Sequence, residues 1–195
     1  VVGPADVPPC GRPPGERLQG EQSPPWLLDD VATSLAVTRH LGIADEVALR
    51  GFSKAPPDPG SARAGILTRP NGDIRWLDAT AANDPESLAM LVADDAPDAL
   101  VYNHRDDRPA RLSTFATRSR IVAEAPDVIV TGAHPPWTVW RQLKRARPGR
   151  ATEFVARHRL RDWLAAVPAG RRVVFCGNTR GLGVAHFLEE TTRDG

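Results

Sequence analysis

The chain has 195 residues, 41% of them hydrophobic, which suits one sizeable core with an appendage. With 25 Lys plus Arg against 24 Asp plus Glu, its net charge of +1 excludes the strong global field of a nucleic-acid or membrane-surface binder. Two cysteines, Cys10 and Cys176, form neither a disulfide framework nor a CxxC metal pattern, and no run approaches the roughly 18 apolar residues of a membrane span, so a reducing compartment is expected.

The opening VVGPADVPPC has no Met and no basic signal-peptide region, and reads as the start of a piece of a longer protein. Residues 1–25 hold seven prolines and are expected to be a linker or disordered arm. From Trp26 the apolar residues Leu27, Leu28, Val31, Leu35, Leu41 and Ile43 fall near helical spacing, with Gly42 as the stop. DEVALRGF predicts a short second helix ending near Gly51, and KAPPDPG a rigid hinge. Residues 26–60 therefore form a helical segment plus hinge.

Beyond the hinge the pattern alternates. ARAGILTR and GDIRWLDAT predict a hairpin around Asn71-Gly72. DPESLAMLVADD reads as helix, DALVYN as strand, RPARLSTFATRSRIVAE as helix and DVIVTG as strand. WTVWRQLKRA and EFVARHRLRDWLAAV read as helices, RRVVFCG as strand and LGVAHFLEETT as a closing helix. Strands alternating with helices predict an α/β domain over 61–195, with a Rossmann-like, doubly wound, mostly parallel sheet. Such folds bind ligands beyond the carboxyl ends of their strands.

Four polar segments follow strands: Asp78–Ser87, Asn103–Arg108, Thr131–His134 and Gly177–Gly183. In DATAANDPES, Asn83 and Asp84 can cap the helix beginning near Pro85, or Asn83 can read an adenine edge while Asp78 takes ribose hydroxyls. In NHRDDR, the charges form either a solvated ion-pair cluster or an anion site with Arg105 and Arg108 as donors. CGNTRGLG is a Gly-rich turn into a helix but neither GxGxxG nor a P-loop; Arg180 is its candidate anion contact. Cys176 reads as a small buried hydrophobe. His134 and His186 lack partners at metal-ligand spacing, so no metal site is expected. The five tryptophans read as core.

Taken in order, LAVTRHLGIADEVALRG, KAPPDPG, ATAANDPES, LVYNHRDDRPARLSTFA, DVIVTG and VVFCGNTRGLG resemble the catalytic subunit of poly-γ-glutamate synthases of the CapB/PgsB type, over roughly residues 26–190. The shared segments are A-A-N-D-P-x-S, N-x-R-x-D-R-x-x-R and G-N-x-x-G. The family looks like a branch of the Mur ligases, ATP-dependent amide-forming enzymes with a central P-loop domain and a C-terminal α/β domain. The resemblance places 26–60 at the end of the central domain and hinge, and 61–195 in the C-terminal domain. The chain departs from the pattern at His104, where family members carry Cys, and at Cys176, where Mur ligases carry Lys.

The resemblance implies acyl phosphate formation by ATP and Mg²⁺, followed by attack of a glutamate amine. It implies nucleotide contacts at Asp78, Asn83 and Asp84, catalytic roles for Arg105, Asp107 and Arg108, and acceptor contacts at Asn178, Thr179 and Arg180. Glutamate or the poly-γ-glutamate chain would be substrate. Membrane subunits of a capsule synthase would be partners, and the setting cytoplasmic at the inner face of the membrane, with no nucleic acid. Lacking a G-K-[ST] motif, this chain alone is expected to be inactive, with Mg²⁺ held mainly by another domain. The competing readings are a non-catalytic nucleotide- or partner-binding module, and a Mur-type ligase acting on peptidoglycan precursors or folate.

Overall fold

The structure, a computed structural model, describes residues 25–54 and 62–180, together with Leu182, Val184 and Leu188. The arm before residue 25, the hinge at 55–61, Cys10, His186 and most of the closing helix lie outside the described residues. The chain divides into two compact units, Val1–Ser61 and Ala62–Gly195.

In the first unit, α1 (Pro25–His40) is followed by α2 (Asp45–Lys54). The stop at Gly42 is realised: its φ of +74° is open to glycine without penalty, and Ile43 N–H closes back on the Thr38 carbonyl at 2.9 Å. Arg39 reaches forward to Asp45 with two hydrogen bonds, at 2.8 and 2.6 Å, which clamps the α1–α2 turn. α2 runs three residues past the expected end at Gly51. A single helical glycine costs only about 1 kcal/mol and does not end a helix by itself.

The second unit holds a six-stranded sheet in the order β1-β2-β6-β3-β4-β5, where β1 is Arg63–Leu67, β2 Ile74–Asp78, β3 Ala99–His104, β4 Asp127–Gly132, β5 Ala151–Phe154 and β6 Arg172–Cys176. β1 and β2 form the expected antiparallel hairpin, and every other neighbouring pair is parallel. The turn is wider than a two-residue one: Gly72 N–H bonds to Arg69 O at 3.0 Å, and Asn71 donates instead to the Ala165 carbonyl at 2.8 Å.

Helices cover both faces. α3 (Pro85–Leu91), α4 (Pro109–Arg118), α5 (Arg120–Glu124) and α6 (Trp137–Ala146) lie on one, where Leu88, Leu112, Phe115, Val122 and Leu143 pack on Leu100, Tyr102, Val128, Val130, Val174 and Cys176. α7 (Leu160–Ala166) lies on the other, where Leu160, Leu164, Val184 and Leu188 pack on Val101, Ile129, Val173 and Phe175. The period-two alternation along β3 and β6 feeds both layers. β3, buried at all six residues, is central. Each fully buried aliphatic or aromatic side chain adds about 1.5–3 kcal/mol, so this double coverage supplies the main driving force.

Two expected helices are corrected. The stretch 108–124 breaks at Ser119, whose backbone is extended and whose hydroxyl accepts from Val122 N–H at 3.2 Å to cap α5. A hydroxyl there competes for the helical backbone and starts a new helix. The stretch 153–167 begins not as helix but inside β5, passes through a 3-10 turn at Arg157–Arg159 and only then becomes α7. β5 is an edge strand with a half-polar sequence, Ala-Thr-Glu-Phe, and its pairing with β4 decides its state.

Candidate functional site at the carboxyl edge of the sheet

All four polar segments emerge at one edge, because β2, β3, β4 and β6 run parallel. β6 sits between β2 and β3, yet the chain after β6 packs on the α7 face while α3 and α4 pack on the opposite face. Neighbouring strands whose continuations part to opposite faces create the crevice where doubly wound folds bind ligands. The strands carrying Asp78 and His104 are two spacings apart, about 10 Å.

The floor of this crevice is an interlock of two asparagines. Asn103 Nδ2 donates to the carbonyls of Asn178, at 2.5 Å, and Arg180, at 3.2 Å, while Asn178 Nδ2 donates back to Asn103 O at 2.8 Å. Arg111 joins from α4: its Nη1 donates to Asn178 Oδ1 at 2.8 Å and to Gly177 O at 3.1 Å. Both asparagines are buried, so these bonds satisfy groups that would otherwise cost about 1–3 kcal/mol each. Glycine is required on either side. A Cβ on Gly177 (φ +99°) would lie 2.8 Å from Asn103 O, and one on Gly132 (φ +85°) 2.4 Å from His104 O.

The expected acceptor residues separate here. The Asn178 side chain is buried, with its Oδ1 and Nδ2 each bonded within the protein, to Arg111 and to Asn103. Thr179 and Arg180 are exposed beside it. Arg111 is a residue that the reading of single segments passed over, although it is the last Arg of N-x-R-x-D-R-x-x-R.

The charged loop divides likewise. Arg105 pairs with Asp107 through two bonds, Nε to Oδ1 at 2.8 Å and Nη2 to Oδ2 at 2.5 Å. That pairing holds the Asp107 carboxyl below the usual range. The side chain of Arg108, at the N-cap position of α4, is exposed and makes no hydrogen bond or ion pair with a described residue, although its charge helps hold the Asp107 carboxyl down. Asp107 thus takes its side-chain hydrogen bonds from Arg105, and Arg108 acts on it through charge alone.

After β2, Asp78 Oδ1 accepts from Thr80 N–H at 3.0 Å and Thr80 Oγ1 at 2.6 Å, holding a half-buried carboxylate at the strand end. Asp84 caps α3: its oxygens accept from Ser87 N–H at 2.7 Å and Ser87 Oγ at 2.8 Å, which lowers its pKa. Of the two possible uses of this segment, Asp84 takes the capping one. Asn83, one residue earlier, is exposed.

Buried polar groups without a hydrogen-bond partner among the described residues lie near the same edge: the Tyr102 hydroxyl, both ring nitrogens of His104 and the Thr131 hydroxyl. His104 is 1% exposed, and burial lowers its pKa, so it is neutral at physiological pH. Cys176 is fully buried and its thiol is pushed up, which rules out a reactive thiolate and bears out the hydrophobe reading. Among the described residues, no three His, Cys, Asp or Glu side chains gather as a metal would require, and no helix is long and apolar enough to cross a membrane.

This architecture is similar to solved Mur ligases. MurF from Acinetobacter baumannii aligns over 88% of this chain and 39% of its own, with a TM-score of 0.58 and 12% identity. MurC from Thermotoga maritima aligns over 86% and 38%, with a TM-score of 0.55 and 15% identity. In sequence, PGA synthase CapB of Bacillus subtilis is 32% identical over 112 residues, and the capsule biosynthesis protein CapB of Bacillus anthracis 34% over 112 residues. Each match covers 53% of this chain but only 28% and 24% of those proteins, so the chain spans about a quarter of the length of the curated relatives it matches. Residues 66–192 match the family described as the poly-gamma-glutamate synthase CapB C-terminal domain, and the chain belongs to that family.

Proposed function

We propose that this chain is the acceptor-side part of an ATP-dependent amide ligase that builds poly-γ-glutamate. The observation that carries the reading is Arg108, whose guanidinium at the carboxyl edge of β3 has no hydrogen-bond or ion-pair partner among the described residues, in a chain of the CapB C-terminal family. The MurF ligase of Thermotoga maritima, a neighbour in fold with a TM-score of 0.53, was solved in complex with ADP, which supports nucleotide use.

ATP, when bound, supplies the phosphoryl group that turns a carboxylate into an acyl phosphate. The donor set here fits a contact with its nucleoside end. Asp78 keeps Oδ2 outside its Thr80 bonds, and Asn83 offers an exposed amide, whereas Asp84 acts by starting α3. The described residues provide no carboxylate cluster for Mg²⁺, which another domain would hold. Arg108 holds a carboxylate or phosphoryl oxygen in a two-bond fork. Thr179 and Arg180 take the α-carboxylate of the incoming glutamate. The Arg105–Asp107 pair orients the loop, and Arg111 with the Asn103–Asn178 interlock fixes the β6 turn beneath it. The glutamate amine attacks the acyl carbon, phosphate leaves and the amine releases a proton. Positioning and charge neutralisation carry such a reaction. We place it at the inner face of the membrane, with membrane subunits of a capsule synthase as partners.

The test is glutamate-dependent ADP release and amide formation by the product of the complete reading frame that contains this chain. Arg108→Ala is expected to lower the rate by about two to three orders of magnitude, or roughly 2–4 kcal/mol of transition-state stabilisation, with the melting temperature unchanged. A wild-type protein that binds nucleotide but forms no amide would favour the non-catalytic module.

A further inference from the structure

The face of α6 turned away from the sheet gathers Trp137, Trp140, Arg141, Lys144 and Arg145 around an open groove of about 310 Å³. Residues 137–150 contain five cations and no acid, and three of them, Arg141, Lys144 and Arg145, line the groove while Arg147 is buried. The side chains are organised. The Arg141 guanidinium lies 5.8 Å from the Trp137 ring centre and the Lys144 ammonium 5.4 Å from that of Trp140. Cation–π contacts of this kind add about 0.5–1 kcal/mol at exposed sites and hold the cations in place without neutralising them. Trp137 is 68% exposed, the largest aromatic surface shown to solvent among the described residues. The tryptophans sit on opposite sides of the helix's burial boundary: Trp140 is half-buried beside His134, whereas Trp137 is not core.

Position matters as much as composition. α6 starts five residues after β4 ends, so its Trp137 end lies at the ligand edge and the cations follow down the outside of the unit. Arg141 and Arg145 are one turn apart, a rise of about 6 Å.

We propose that this groove is an extended subsite that holds the poly-γ-glutamate chain as it enters or leaves the active edge, a reading that rests on the ligase function above. A γ-linked glutamate polymer alternates a free α-carboxylate with a stretch of main chain bearing two methylenes. The groove alternates in kind: guanidinium and ammonium donors for the carboxylates, an indole face for the methylenes. A flat anionic membrane would instead call for several large apolar side chains projecting together, and on α6 Trp137 is the sole exposed large hydrophobic among the described residues. Several weak carboxylate contacts held on one rigid helix add by effective concentration, so a chain binds where a monomer does not.

The experiment titrates the full 195-residue chain with purified poly-γ-glutamate, following tryptophan fluorescence and calorimetry at low and high salt. The polymer is expected to bind with a salt-weakened affinity, and monomeric glutamate not to bind at the same carboxylate concentration. Arg141→Gln with Arg145→Gln should weaken polymer binding at least tenfold, and Trp137→Ala severalfold, with unchanged melting temperatures. Polymer binding unaltered by these substitutions overturns the proposal. So does their abolishing adsorption to vesicles rich in anionic phospholipid while polymer binding persists. In the complete ligase, the double substitution should raise the KM for long acceptors and leave that for ATP and short acceptors unchanged. Absence of any amide formation by the wild-type protein would count against the ligase reading alone, since the binding titration stands without it.

Discussion

Arg147 and Arg108 are the same side chain placed at opposite ends of the range of arginine environments. Arg147 is 2% exposed, and its guanidinium is wrapped by main chain: it donates to the carbonyls of Val122, Ala125 (2.9 Å), Pro126 (3.3 Å) and Ala151 (3.0 Å) and to Thr152 Oγ1 (3.0 Å). It thereby joins the end of α5, the approach to β4, the end of α6 and the start of β5. Burial lowers its pKa to about 10, with Arg150 adding to the shift, so it remains charged at neutral pH. Arg108 has no such partner among the described residues. The difference shows that an arginine's role follows from which acceptors the fold supplies. Where carbonyls take every donor the residue holds segments together, and where none does at a strand end it is available to a ligand.

The sharpest way to break this contrast is to remove the buried member. Arg147→Ala leaves four carbonyls and a hydroxyl without a donor, and should destabilise the second unit by about 3–5 kcal/mol, as loss of one partner of a buried charged network does. Urea denaturation measures it, and a change under about 1 kcal/mol would refute the joining role.

His104 extends the contrast to a buried group with no hydrogen-bond partner among the described residues. Its folded pKa is below the ordinary 6.5, mainly through burial, with Asp106 opposing and His134 assisting. The unfolded chain therefore binds the proton more readily. Stability should be full above pH 6.5 and fall as the pH drops through the lower folded value, with a slope of at most about 1.4 kcal/mol per pH unit. His104→Asn should flatten the curve between pH 7 and 5. A wild-type curve flat over that window would show that His104 takes up its proton without cost.

Asp84 and Arg108 refine the exposed side of the comparison. Asp84→Ala should cost about 1 kcal/mol through loss of the α3 cap, whereas Asp84→Asn keeps the cap and should cost little. Because Asp84's pKa is lowered, its charge-dependent part of the contribution is present above the unfolded carboxylate value and lost as the pH falls through the folded one. The Asn variant should lack that acid limb, as thermal melts at pH 2–5 would reveal. Arg108→Ala should shift stability by less than about 0.5 kcal/mol, so any larger loss in calorimetry would make it a structural residue after all.

Much of this molecule is legible from local pattern. The apolar runs ALVY and DVIV, too short and too β-branched for helices, announced buried parallel strands. Asn71-Gly72 marked the hairpin, Gly42 the end of α1, and the polar segments after the strands marked the carboxyl edge of the sheet. Those features depend on side-chain period and backbone freedom, which act within a few residues. What only the tertiary structure decided is pairing. That Asp84 caps α3, that Arg105 rather than Arg108 hydrogen-bonds Asp107, and that Asn178 interlocks with Asn103 depend on which donors meet which acceptors. The last of these partners are 75 residues apart. β5 became a strand because β4 offered an edge, Arg147 became a joint because four segments converge on it, and Trp137 stayed outside while the other described segments closed the core. Spacing along the chain carries no record of such encounters, since they depend on the path of residues tens of positions away.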